Sequence, residues 1–271
     1  MCGANWPNSW TVTITMNDMR VLVTSGGTLE DIDTVRAVVN HSTGSLGSLI
    51  AQRFALGGAQ VVYLRGEKAA CPQTTPHQTI TIRGTSQLSV TLKELLNRQR
   101  FDCVIHAMAV SDFTPAGTLT AQDIAIAIGE QLNAGQPLTQ HTVTAALHSA
   151  TKTPGRAKIS SRDGDLLLAL KQTPKVIEMI KALQPNTLLV GFKLLSGASE
   201  SELIAAGNRL TCENKCDFVL LNDLADINGD KHKAMLLQEG QVVGRAATKQ
   251  EIASLIFDNV TRRLTELEKI R

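Results

Sequence analysis

Aromatic side chains are scarce in this chain: six Phe, two Trp and one Tyr among 271 residues. That leaves little material for base-stacking platforms. The charge balance, 27 Lys and Arg against 25 Asp and Glu for a net +2, has no long block of either sign. Together these exclude the basic, aromatic surface of a nucleic-acid binder. No apolar run approaches the ~18 residues of a membrane span. The first residues lack a basic segment followed by an apolar core and a cleavage site, so a cytoplasmic protein is expected. Five cysteines, Cys2, Cys71, Cys103, Cys212 and Cys216, are odd in number and scattered, which points to reduced thiols rather than a disulfide framework. Cys212 and Cys216 would share a helical face, but no second Cys or His pair stands near to complete a zinc site.

What is present is an ordinary globular composition, 43% hydrophobic, in a chain long enough to bury a substantial core. Residues 1–19 show no clear period and read as a poorly ordered N-terminal extension, with 20–271 as a single domain. From Arg20 onward, strand and helix patterns alternate, as in crossover units of a parallel sheet. Strands are predicted at 20–24, 60–64, 79–82, 102–107, 187–192 and 217–221. Helices are predicted at 45–56, 86–100, 174–183, 199–212 and 249–267. The second helix has Thr85 or Ser86 as N-cap and an apolar stripe at Leu88, Leu92, Leu95 and Leu96. Segments 234–238 and 241–244 flank Glu239-Gly240, a two-residue turn suited to a β-hairpin. Between Phe113 and Arg156 the pattern weakens: Ile124, Ile126 and Ile128 alternate, and Gly and Pro punctuate the stretch. It is read as a long lid-like excursion that covers or borders a site. The expected fold is α/β, a Rossmann-like, mainly parallel sheet with helices on both faces.

Chemistry concentrates around Val21-Leu-Val-Thr-Ser-Gly26-Gly27-Thr. An apolar strand ends in a Gly-Gly turn, and a second stretch, Asn40-His41-Ser42-Thr43-Gly44, opens a helix. Loops poor in side chains at such places let backbone N–H groups approach a phosphate. The spacing is not Gly-x-Gly-x-x-Gly, and no Gly-Lys-Ser/Thr follows, so a plain dinucleotide site and a standard triphosphatase loop are disfavoured. Taken singly, the glycines are tight turns; Arg36, Asn40, His41, Ser42 and Thr43 beside them favour binding. Asp112 follows a strand, where ligands collect in open α/β sheets, or else caps a turn. Lys158, at the end of the excursion, is a surface charge or a mobile cation for a phosphate.

Read together, Thr24-Ser-Gly-Gly-Thr, Asp33-x-Val-Arg36, Asn40-His-Ser-Thr-Gly44, Ala109-Val-Ser-Asp112-Phe and Lys158-Ile-Ser-Ser resemble the phosphopantothenoylcysteine synthetase family. The likeness is greatest to its stand-alone bacterial form, and Thr173-Pro-Lys, Gly191-Phe192-Lys and Leu221-Asn-Asp223 continue it. The resemblance implies a ligase of coenzyme A biosynthesis. It would join 4′-phosphopantothenate to L-cysteine through an acyl-nucleotidylate, with CTP expected and ATP possible as co-substrate, and Mg²⁺ on the phosphates. It further implies Asn40 at the intermediate and Arg36, one helical turn before it, on substrate phosphate or carboxylate. Lys158 would meet the triphosphate. Gly26, Gly27, Ala109, Asp112, Phe192 and Arg209 would lie on the nucleotide, and His41, Ser42, Thr43 and Gly44 on the acid substrate. Glu213 stands where relatives commonly carry Lys, which would weaken triphosphate binding unless Lys215 or Arg209 compensates. Metal ligands are not identified, and a homodimer is expected. Two other readings stay in play: a non-catalytic nucleotide- or flavin-binding module, and a short-chain oxidoreductase. The last is disfavoured because Tyr63, the only tyrosine, is followed four residues later by Glu67 rather than Lys.

Overall fold

The apolar run after Arg20 becomes a strand covered on both faces, which is why it is continuous rather than alternating. In the computed structural model, which describes residues 17–152 and 165–270, β1 (Arg20–Ser25) is buried from Val21 onward. A small antiparallel pair follows, β2 (Leu29–Asp31) and β3 (Ala37–Val39), then α1 (Ser45–Leu56), β4 (Gln60–Gly66), β5 (Gln78–Ile82) and α2 (Thr85–Arg98). Next come β6 (Cys103–His106), β7 (Phe113–Thr120), α3 (Ala121–Asn133), α4 (Gln140–Ala150) and β8 (Leu166–Gln172). The chain continues through α5 (Glu178–Leu183), β9 (Leu188–Leu195), α6 (Glu200–Asn214), β10 (Phe218–Asn228), β11 (Lys231–Gln238), β12 (Gln241–Thr248) and α7 (Lys249–Ile270).

Eight strands form one sheet in the order β12-β11-β10-β9-β6-β1-β4-β5. The six from β10 to β5 are parallel, and β11 and β12 extend the sheet antiparallel. Numbered along the chain, the parallel strands run 3-2-1-4-5-6, the doubly wound order. Helices α1 and α7 cover one face, where Ile50, Phe54 and Ile256 pack on Val23, Ile105 and Leu220. On the other face Leu92, Ile180 and Leu203, from α2, α5 and α6, pack on Leu22, Val104 and Leu221. This is the expected α/β, Rossmann-like architecture with helices on both faces. Glu239 and Gly240 take φ values of 49° and 82°, the left-handed pair that a tight hairpin turn needs.

Several boundaries differ from expectation. Met19 is buried in the core, so the packed region begins before Arg20; residues 1–16 lie outside the described ones. Thr85 does not cap α2 but is its first residue, and Gly84 at the cap offers no side chain. The carboxylate of Glu30, from a distant strand, accepts the Thr85 N–H at 2.8 Å instead. Helix α5 begins at Glu178 rather than Pro174. Cys216 lies beyond the end of α6 and is buried, while Cys212 is exposed.

The described part of the excursion, residues 113–152, is structured. Strands β7 and β8 pair antiparallel into a ribbon that stands apart from the main sheet, and α3 and α4 lie between them in sequence. Pro115 and Gly117 masked the strand because they sit at a break in its register, where a missing donor is tolerated. The alternating isoleucines are helical because Thr120 and Asp123 close a capping box at the start of α3.

Candidate functional site

In the doubly wound order, successive connections run to opposite sides from β1 and β6, leaving a crevice at the carboxyl ends of those two strands. The chain leaving β1 turns at Gly26, whose φ of 84° is left-handed and whose missing Cβ would sit 2.4 Å from the Ala69 Cβ. It then meets the chain leaving β6. The Ala109 N–H donates to the Gly26 carbonyl at 2.8 Å, the Thr28 N–H to the Ala109 carbonyl at 3.2 Å. Asn40 reaches the same carbonyl through Nδ2 at 3.3 Å. Gly26, Gly27, Asn40 and Ala109 therefore form one cluster at the switch point.

His41, Ser42, Thr43 and Gly44 lead from Asn40 to α1. The Ser25 hydroxyl donates to the Gly44 carbonyl at 3.0 Å, and the Ala70 N–H to the Thr43 carbonyl at 2.9 Å. Gly44 also has a left-handed φ, 72°, and its Cβ would lie 2.7 Å from that of Ala69. Gly44 at the cap of α1 brings no side chain and no acid stands in the first turn, although the Ser45 N–H reaches Thr43 Oγ1 at 3.4 Å. The first-turn N–H groups and the helix dipole at this end favour an anion.

Asp112 is exposed and is not a cap: Lys175 Nζ donates to its carboxylate at 2.6 Å. Its segment is tied down by Thr173, whose hydroxyl donates to the Ser111 carbonyl at 2.5 Å and whose N–H donates to the Asp112 carbonyl at 3.0 Å. Sequence reasoning gave no role to Lys175, although Thr173-Pro-Lys was among the matched motifs. Phe192 is half-buried near the carboxyl end of β9 and packs against the α1 and α7 core. His106 ends β6, with Nδ1 2.9 Å from the Thr24 hydroxyl. Burial pushes its pKa down to about 4, so the ring is neutral at pH 7.

Other expected residues are not brought to this cluster. Arg36 does not lie one helical turn before Asn40, because the intervening residues form β3. Four extended residues separate the two by about 13 Å rather than one turn. The Arg36 guanidinium grips the buried carboxylate of Asp33 through Nε at 3.1 Å and Nη2 at 2.8 Å. Arg209 is exposed in the third turn of α6, about 14 Å along the helix from the carboxyl edge. Glu213 and Lys215 lie farther still, at the opposite edge of the sheet, so the Glu213 departure does not touch the crevice of its own chain. Lys158 lies outside the described residues. Asp223 is held low by N–H groups of Ala198, Ala225 and Gly197 and acts as a clamp on the turn before α6. Tyr63 is buried and donates to the Ala70 carbonyl at 2.7 Å, away from any redox role.

Among the described residues no group of three or more His, Cys, Asp or Glu could hold a metal ion. A cavity of about 580 Å³ between α6 and the β10–β12 strands is lined by Leu203, Leu221, Asp223, Met235 and Arg245. It is removed from the switch point. Its charges are paired internally, as in Arg245 with Glu200 and Lys233 with Asp226. No helix among the described residues is long and apolar enough to cross a membrane.

Comparison with known proteins matches residues 16–124 and 119–264 to the family described as DNA/pantothenate metabolism flavoprotein C-terminal domain. The coenzyme A biosynthesis bifunctional protein CoaBC of Thermococcus kodakarensis is 30% identical over 252 residues, 90% of this chain and 51% of that protein. Its counterpart in Methanocaldococcus jannaschii is 24% identical over 250 residues, 90% of this chain and 50% of that protein. The chain thus spans about half the length of these curated relatives. The solved DNA/pantothenate metabolism flavoprotein of Streptococcus pneumoniae superposes with a TM-score of 0.75 at 33% identity. The match covers 90% of this chain and 99% of that one. A Cab2 variant solved in complex with phosphopantothenate-cysteine shares the fold, with a TM-score of 0.63 at 17% identity over 92% of this chain and 87% of that one.

Proposed function

Since the chain belongs to the DNA/pantothenate metabolism flavoprotein C-terminal domain family, we propose that it is a phosphopantothenate–cysteine ligase. The observation that carries this reading is the meeting of Asn40 and Ala109 at the switch point, beside the start of α1. A crevice with a neutral amide donor, backbone N–H groups and a helix dipole suits a substrate that changes charge at phosphorus and carbon.

In the first half-reaction a carboxylate oxygen of 4′-phosphopantothenate attacks the α-phosphorus of the nucleotide. The bond to the bridging oxygen breaks and pyrophosphate leaves. In the second, the cysteine amine attacks the activated acyl carbon, the bond to the nucleotide phosphate breaks, and the nitrogen sheds a proton. CMP is the leaving group with CTP, the expected nucleotide, and AMP with ATP. Both reactants of the first step are anions, so positioning and charge neutralisation dominate. The Asn40 amide donates to oxygen without titrating. His41, Ser42, Thr43 and Gly44 bind the acid substrate, and Gly26, Gly27, Ala109, Asp112 and Phe192 the nucleotide. Lys158 offsets the triphosphate charge.

Mg²⁺ fits a site that offers the Asp112 carboxylate among the described residues, because that ion binds chiefly through substrate phosphates and water. When bound it offsets phosphate charge as a Lewis acid. The enzyme is expected to be a homodimer, which sedimentation would check. The deciding assay measures pyrophosphate from CTP or ATP, with and without 4′-phosphopantothenate and cysteine. Release that requires 4′-phosphopantothenate supports the ligase. Nucleotide binding without any release would leave a non-catalytic binding module.

A further inference from the structure

Beneath the 109–112 segment, four buried residues from distant parts of the chain are linked in one line. The Ser111 N–H donates to Thr28 Oγ1 at 3.0 Å. Thr28 Oγ1 lies 3.3 Å from Thr85 Oγ1. Thr85 Oγ1 donates to Glu30 Oε1 at 2.7 Å, and the Thr85 N–H reaches the same oxygen at 2.8 Å. Thr28, Glu30, Thr85 and Ser111 are 0%, 6%, 1% and 5% exposed, so water does not compete for these bonds.

A hydroxyl has one proton, and Thr85 Oγ1 divides its own between Glu30 Oε1, the shorter contact, and Thr28 Oγ1, which accepts. This leaves a second Thr28 lone pair aimed at Ser111, where the N–H needs an acceptor. The same segment carries the Ala109 carbonyl that receives Thr28 N–H and Asn40 Nδ2, and it ends at Asp112.

We propose that Thr28, Thr85 and Glu30 are positioning residues for the 109–112 segment, fixing Ala109 and Asp112 for the nucleotide and the Ala109 carbonyl for Asn40. The assignment to a nucleotide rests on the ligase reading above. The relay also joins the N-terminus of α2 to the crevice.

Thr28→Val keeps the shape and removes the acceptor; Thr28→Ser restores it. Hydrogen–deuterium exchange of a peptide spanning residues 109–113 is expected to quicken about tenfold in Thr28→Val and to return near wild type in Thr28→Ser. In the pyrophosphate assay the KM for the nucleotide should rise about tenfold in Thr28→Val, with a smaller change in kcat and rescue in Thr28→Ser. Leu92→Ala, which loosens the α2 contact without touching the relay, should lower the melting temperature and leave that KM near wild type. Wild-type exchange and KM in Thr28→Val would overturn the proposal, as would an equal KM rise in Leu92→Ala. A wild-type chain that releases no pyrophosphate overturns the ligase reading, and the exchange result still decides whether the relay holds the segment.

Discussion

The two walls of the crevice are held by different forces. On the β1 side, Gly26 and Gly44 press their backbones against Ala69, and Gly47 leaves room for Ser25, where a Cβ would meet Oγ at 2.3 Å. That wall is built from close contact and backbone hydrogen bonds, and nothing larger than hydrogen fits at its turns. On the β6 side, the 109–112 segment contains no glycine. It is hung from side chains that arrive from elsewhere: Thr28 from below, Thr173 from β8's exit and Lys175 at its rim. One wall is specified by absent side chains, the other by hydroxyls and charges supplied at long range. The first should therefore fail by steric overlap and the second by loss of alignment.

Gly26→Ala should break the first wall outright. The new Cβ meets Ala69 and a φ of 84° penalises any L side chain, so destabilisation of about 3 kcal/mol is expected in urea unfolding. An unchanged midpoint would show that the turn can relax. Asn40 lies where the walls touch. Asn40→Asp would set a carboxylate against the Ala109 carbonyl and the intermediate's phosphate, so amide formation should slow about hundredfold while activation is less affected. Mass spectrometry should then find the acyl-nucleotidylate accumulating; wild-type turnover would remove Asn40 from the mechanism.

His106 tests the joint between the walls from beneath. Its folded pKa is depressed to about 4, so below its unfolded value of about 6.5 the unfolded chain binds the extra proton and stability falls as pH falls. Between pH 7.5 and 5 this costs about 2 kcal/mol. His106→Gln should lose that part of the slope in unfolding experiments at a series of pH values. His232, also depressed by burial and Lys249, keeps a residual slope of the same sign. The smallest stability effect is expected for Lys175→Gln. Both partners of its ion pair are more than half exposed, so the melting temperature should hardly move. A raised KM for the nucleotide would place Lys175 in binding, and an unaltered KM would reduce it to a surface charge.

How legible each region was follows from how local its determinants are. The interior parallel strands appear where the apolar runs stand, because burial on both faces demands uninterrupted hydrophobic sequence, whereas β5 at the sheet edge alternates Thr with Ile and is buried only at Ile82. The hairpin was readable because Glu239-Gly240 is a local turn signal, although β10 runs on to Asn228 through polar residues. The ribbon and its helices were not readable as such. Pro115 and Gly117 broke the strand pattern, and the capping box that decides α3 outweighs an alternation that by itself looks like strand. Arg36 misled for the same reason: its four-residue spacing from Asn40 fits a helical turn, yet pairing of β3 with β2 pulls it straight.

By itself, then, the sequence determined the strand–helix alternation and the glycine turns at Gly26-Gly27 and Gly44, because each depends on neighbours within a few positions, and the resemblance singled out Asn40 beside them. Only the tertiary structure decided the strand order that sets β1 beside β6. With that order it decided the meeting of Asn40 with Ala109, the pairing of Lys175 with Asp112 and the line from Glu30 to Ser111. Those contacts join residues more than 50 positions apart, and hydrogen-bond geometry at that range exists only once the sheet has brought the strand ends together.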